Sequence, residues 1–201
     1  MAKYGWEVTT APSGSVATTA EIRRQLSIAA DDHYHDAQLD NMMTAAVSLF
    51  EHSTRILLIS RIITLTMDCF PDDGDPIDLP VYPVTTFTSI TVYQSDVATL
   101  WAGSNYVTDL VSRPCRVAPI TDGIWTTSDN RISAVSMVMT VGYALADIPL
   151  DIKHSLLMLV AHWFENRETS VMGTLNDIPF GVRAIWDRYN MGETYLVGSH
   201  L

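Results

Sequence analysis

His162 and Glu165 stand three residues apart in an apolar segment, the spacing by which one helical turn aims two ligands at a carboxylate-bridged metal. Such a centre needs matching motifs on partner helices, and the sequence has none. The pair is better read as capping or salt-bridging a helix end. His33 and His35, within AADDHYHD, are the other close pair. They leave a helix on different faces and have no third ligand nearby, so they read as solvated loop histidines. Asp72, Asp73 and Asp75 repeat part of a calcium loop, but the glutamate that such a loop needs further along is absent. No glycine-rich phosphate loop, nucleophile elbow, HExxH pair or zinc-type cysteine spacing occurs. The residues therefore predict no catalytic, cofactor-binding or metal site. Cys69 and Cys115 are too few for a disulfide scaffold; buried or incidental free thiols are the simpler reading and one structural disulfide the alternative.

The element that organises the chain runs from Pro149 to Glu168. Leu156, Leu157, Met158, Leu159, Val160, Ala161, Trp163 and Phe164 leave no wide polar stripe, which predicts a helix buried on several sides. Pro149 suits its first turn, Asp151 the positive helix end, and Glu165 to Glu168 its polar close. The apolar part is shorter than the roughly 20 residues of a membrane span. Leu156, Leu159, Val160 and Trp163 are the expected core anchors, together with Phe50 from an earlier helix.

That earlier helix is predicted over Asp36 to Arg55. Leu39, Met43, Ala46 and Phe50 share one face, with Asp40, Thr44, Ser48, Glu51 and Arg55 opposite, and Glu51 and Arg55 form an (i, i+4) pair. A shorter helix starts at Thr18, whose spacing to Glu21 is that of a capping box. Between the helices the period drops to two. Ile63, Leu65 and Met67 alternate with Thr64, Thr66 and Asp68; PDDGDP is a turn; IDLPVYPV reads as a proline-marked edge before TTFTSITVY. ISAVSMVMTVGY, over Ile132 to Tyr143, is the last strand. The expected class is α+β, one domain with a helical core and a small inserted antiparallel sheet. Its parts are an N-terminal arm (1–17), helices (18–56), a β-rich insertion (57–145), helices (148–190) and a C-terminal tail (191–201). The tail carries Met191, Tyr195, Leu196, Val197 and Leu201 with no periodic pattern, and is expected to be flexible or docked on something else.

The chain has 201 residues, 47% of them hydrophobic, enough for a sizeable core. With 12 Lys plus Arg against 23 Asp plus Glu, its net charge is −11, the opposite of a phosphate-gripping surface. The first residues lack the basic-then-apolar layout of a signal peptide, which suggests a cytoplasmic protein.

In this order the residues resemble the head–tail connector (adaptor, or head-completion) proteins of tailed bacteriophages and prophages. The likeness runs through Ile22 and Leu26, then Ala45, Ala46 and Glu51, then LPVYPVTTFTSITVY with Leu79, Pro80, Pro83 and Tyr93. It continues through Tyr106, Val141–Gly142–Tyr143 and Ile148–Pro149. Its most specific part is KHSLLMLVAHWFENRE, followed by Pro179 and Gly181. It spans about Thr18 to Tyr189 and omits both ends. The resemblance implies a structural virion protein without cofactor or catalysis. Copies would form a head-to-tail ring, typically of twelve, under the portal protein at the capsid vertex, after a stay in the host cytoplasm. The ring would extend the channel for genomic double-stranded DNA, without sequence-specific binding or any membrane, and would join the capsid to a downstream stopper or tail protein. The tail residues Met191, Tyr195, Leu196, Val197 and Leu201 would bind the portal. A stopper or tail-completion protein is the neighbouring reading, and a phage-encoded enzyme the one from another class.

Overall fold

A computed structural model describes residues 4–120, 123–166 and 178–191. The elements in order are β1 (Tyr4–Thr10), α1 (Thr19–Gln25), α2 (Asp36–Thr54), β2 (Arg61–Met67), β3 (Ile77–Asp78), β4 (Val84–Gln94), β5 (Val97–Trp101), β6 (Tyr106–Asp109), β7 (Arg116–Pro119), β8 (Val135–Val141), α3 (Leu150–Glu165) and α4 (Phe180–Trp186). The α+β class expected from the sequence is the class observed. The described residues cluster into two compact units, one holding the strands (within 4–13 and 60–143, with 191) and one holding the helices (within 14–59 and 144–190).

The strand unit has a five-stranded sheet, β1-β2-β8-β4-β5, and a three-stranded one, β3-β7-β6, where the sequence suggests a single sheet. Every pairing is antiparallel. The period-two alternation fixes which face is buried, because a one-residue slip would turn every side chain over. Ile63, Leu65 and Met67 of β2 and Val135, Met137, Met139 and Val141 of β8 all face the core. The Ile132–Tyr143 stretch is last in the chain but central in space, with β8 held between β2 and β4. Within the N-terminal arm, Tyr4–Thr10 forms the edge strand beside β2. Its own alternation, Tyr4, Trp6 and Val8 against Gly5, Glu7 and Thr9, is short and diluted by small residues.

In the helix unit, the capping box at Thr18 is present. Glu21 N–H donates to the Thr18 hydroxyl (3.2 Å) and Thr18 N–H to the Glu21 carboxylate (2.8 Å). The apolar face of α2 is buried as its spacing predicts, with Leu39, Met43, Ala46 and Phe50 at 0–1% exposure. Arg55 stands just past the helix in the left-handed region (φ 64°), outside the helical geometry of an (i, i+4) pair. Glu51 instead accepts the backbone N–H of Leu58 at 2.8 Å.

The α3 helix departs from its sequence reading. Ile152, Ser155, Leu156, Leu159 and Val160 are buried, but Leu157, Met158, Ala161 and Phe164 are half-exposed. One face is core, and the helix is not enclosed all round. Trp163 is corrected with it. At helical spacing from Leu156 and Leu159 it lies on the buried stripe, yet in the last turn, where it is only half-buried.

Candidate functional site

The residues with chemical potential are accounted for by local structure. His33 Nδ1 lies 2.8 Å from an Asp36 carboxylate oxygen, while His35 sets its ring edge-on to Tyr34 and Phe164. The end of α3 is closed by Asn166, whose side-chain amide donates to the His162 carbonyl (2.9 Å) and whose backbone N–H donates to it too (3.0 Å). The expected His162–Glu165 cap is thus replaced by a residue better suited to a carbonyl. Among the described residues no three His, Cys, Asp or Glu side chains are placed to hold a metal ion. Cys69 and Cys115 are both free; Cys69 is exposed, and burial pushes the Cys115 thiol pKa upward, which keeps it protonated and unreactive.

A cleft of about 320 Å³ in the strand unit is lined by Cys69, Phe70, Asp72, Trp125, Thr126 and Ser128 among others. Phe70 and Trp125 stack at 4.6 Å and 6°, Trp101 lies 5.5 Å from Trp125 and 5.7 Å from Tyr106, and the Trp125 N–H donates to the Asp75 carbonyl at 2.8 Å. These rings contact one another, so they fasten the loop bearing Trp125 onto the sheet. Nearby, Asp109 accepts from the Ser112 hydroxyl (2.6 Å) and Arg116 (2.7 Å), which hold its carboxyl far below the usual carboxylate range. This too is an internal tie in an exposed loop.

Several large apolar side chains face outward. On β1, Trp6 (37% exposed) and Val8 (42%) lie in register with Leu65 and Ile63, so they extend the core face to the sheet's edge. At the opposite edge, Val97 and Leu100 of β5 are 61% and 67% exposed. In the helix unit, Leu150 and Phe180 are exposed at the starts of α3 and α4. The sheet face away from the core is different in kind. It carries Thr64, Thr66, Ser136, Thr140 and Thr91 beside the apolar Ile62, Val138 and Leu100, with Glu7 as its one charged residue among the described strands. Apolar edges beside a sparsely charged hydroxyl face are features of an assembly surface.

No protein-family model matches the chain, and no curated protein does. Solved structures do. A chain from the neck of an empty gene transfer agent (GTA) particle, computed with C6 symmetry, is 25% identical with a TM-score of 0.78, covering 95% of this chain and 97% of that one. A chain from the virion of a native gene transfer agent particle matches at 25% identity and a TM-score of 0.78, over 94% and 97%. By fold this chain is of the phage-neck type. A chain from the native GTA neck, computed with C12 symmetry, shares the fold at 21% identity and a TM-score of 0.66, over 93% and 97%. These neck chains are structural rather than enzymatic, and the present chain is a structural protein of the same kind.

Among the residues singled out from the sequence, Phe50, Leu156, Leu159 and Val160 meet in the helix unit at 0% exposure, while Trp163 sits at its rim. Met191 is half-buried; Tyr195, Leu196, Val197 and Leu201 lie outside the described residues. Two features were missed. Ser155 is fully buried in α3, where a lone hydroxyl in an apolar run was its only signal. The β1 edge was hidden by the brevity of its alternation. No helix among the described residues is long and apolar enough to cross a membrane.

Proposed function

We propose that this chain is the adaptor of a phage-type neck, a ring subunit beneath the portal that extends the DNA channel and joins capsid to tail. The observation that carries it is the likeness to neck and virion chains at 25% identity over nearly the whole length of both partners. Cyclic symmetry in those necks fits a head-to-tail ring, in which each subunit presents two unlike flanks. Charge adds support. At net −11, with a hydroxyl sheet face bearing one carboxylate, the protein has little with which to grip phosphate, and a duplex could move past it in either direction.

The residues past the last core helix, with Met191, Tyr195, Leu196, Val197 and Leu201, are the proposed portal anchor. Subunits would assemble on the portal, since each lateral contact alone is weak. Mass spectrometry and electron microscopy of particles from a host expressing the chain test the reading. Density for it in a ring directly beneath the portal is expected. Density lower in the neck would make it a stopper or tail-completion protein, and absence from the particle would refute both.

A further inference from the structure

We infer that the two outer strands of the five-stranded sheet join neighbouring copies of this chain, β1 of one copy lying parallel to β5 of the next. The inference rests on the ring reading above and names the surface that would close the ring.

Strand direction comes first. All four pairings across β1-β2-β8-β4-β5 are antiparallel, so with five strands the two edges run the same way. Rotation about an axis roughly along the strands keeps that direction. The β5 edge of one copy then meets the β1 edge of the next in parallel, and the sheet continues through the junction.

The faces agree as well. Trp6 and Val8 pair with Leu65 and Ile63, and Thr99 and Trp101 pair with Val92 and Ile90, all on the core side. Joining the edges would therefore keep the core side continuous, with Trp6 and Val8 following Thr99 and Trp101, and leave the hydroxyl face, with Leu100 at its rim, on the other side. Neither edge carries the lysine or proline that isolates an exposed strand, as YGWEVTT and VATLW show. Among the described residues, neither has a further strand beside it.

The rival is a two-fold dimer through β1 alone. Centred on Tyr4–Thr10, antiparallel self-pairing sets Glu7 directly against its own copy, a like-charge cross-strand pair. Against β5, which has no charge, Glu7 meets no repulsion. Strands of seven and five residues bury less than a stable two-body interface needs, and parallel pairing is slightly the weaker kind. Such a junction suits a closed ring of many contacts better than a free dimer.

Cysteine cross-linking tests this on the purified full chain at high concentration, with exposed Cys69 replaced by serine. The double variant Val8→Cys, Thr99→Cys should give a ladder of oligomers on oxidation, and each single variant should stay monomeric. A dimer from Val8→Cys alone would assign the edge to two-fold pairing and overturn the proposal. As a second measurement, Val8→Lys, at an exposed position, should melt with the parent protein but form no ring on portal-bearing particles. An absent ladder together with normal rings from Val8→Lys would also overturn it. Because the ladder is read on free protein, absence of the chain from particles would sink the neck reading while leaving the junction result standing.

Discussion

The indole N–H of Trp186 donates to the Ser155 hydroxyl at 3.0 Å, and both residues are buried. Ser155 in turn donates to the Ile152 carbonyl at 2.7 Å, and the Trp186 ring meets Phe50 edge-on at 5.3 Å. One small polar group thus connects α3 to α4 inside an apolar core. Ser155→Ala would strand the indole N–H, a loss of about 1–3 kcal/mol. Urea unfolding should show a lower midpoint at unchanged slope. An unshifted midpoint would mean that water or another acceptor reaches the ring.

The rim position of Trp163 gives a graded expectation. Leu156→Ala, at a fully buried site, should lose about 2–5 kcal/mol. Trp163→Ala, half-buried, should lose roughly 1–2 kcal/mol, because only part of its area leaves water on folding. Equal losses in thermal melts would show that Trp163 is enclosed after all.

Acid should loosen the helix unit through Glu21. Its carboxylate accepts from Lys153 at 2.7 Å and from the Thr18 N–H at 2.8 Å, with Lys153 the main reason that its pKa lies below the ordinary 4.5. For a depressed carboxylate the stabilisation is complete above the unfolded value and disappears as pH falls through the folded one. Wild type should therefore outlast Glu21→Gln at neutral pH, with the difference shrinking below about pH 4.5. A gap in melting temperature that persists at pH 2 would point to the capping geometry rather than the charge.

Duplex DNA should not be retained by the isolated protein at physiological salt, given a net charge of −11. Gel-shift titration at two salt concentrations checks this. Micromolar binding at the higher salt would contradict the channel-wall reading.

Removing residues 191–201 should leave the melting transition nearly unchanged yet abolish attachment to portal-bearing capsids. Ordering such a segment opposes binding by about 1–2 kcal/mol per residue, so its apolar groups must bury considerable area on the partner. If truncated protein still fills the vertex, the portal is held by another surface.

The sequence carried the elements better than their surroundings. The α2 stripe of Leu39, Met43, Ala46 and Phe50 and the Thr18 capping box are local patterns, set by residues three and four apart. Strand alternation likewise marked Ile63, Leu65 and Met67. Neither kind of pattern says which strand lies beside which, so β8 could not be seen to be central, nor β1 to join the sheet at all. The α3 helix failed for a related reason. Its apolar residues surround the axis, but which of them are covered depends on partners set by tertiary packing, and Leu157 and Phe164 remain half-exposed. The outward-facing edges were illegible because exposure of an apolar strand is a property of the assembled sheet.

The interleaving of the two units has a consequence for synthesis. The helix unit is written in two pieces, 14–59 and 144–190, with most of the strand unit between them. Leu150 emerges roughly 95 residues after Thr54, about 5–20 s at common translation rates. For that interval the apolar face of α2 has no α3 to cover it, and β1 must wait as well for β2. Neither unit can be released whole by a single cut in the chain. A nascent protein of this layout leaves apolar surface uncovered early and gains its cooperativity late, when α3 leaves the ribosome.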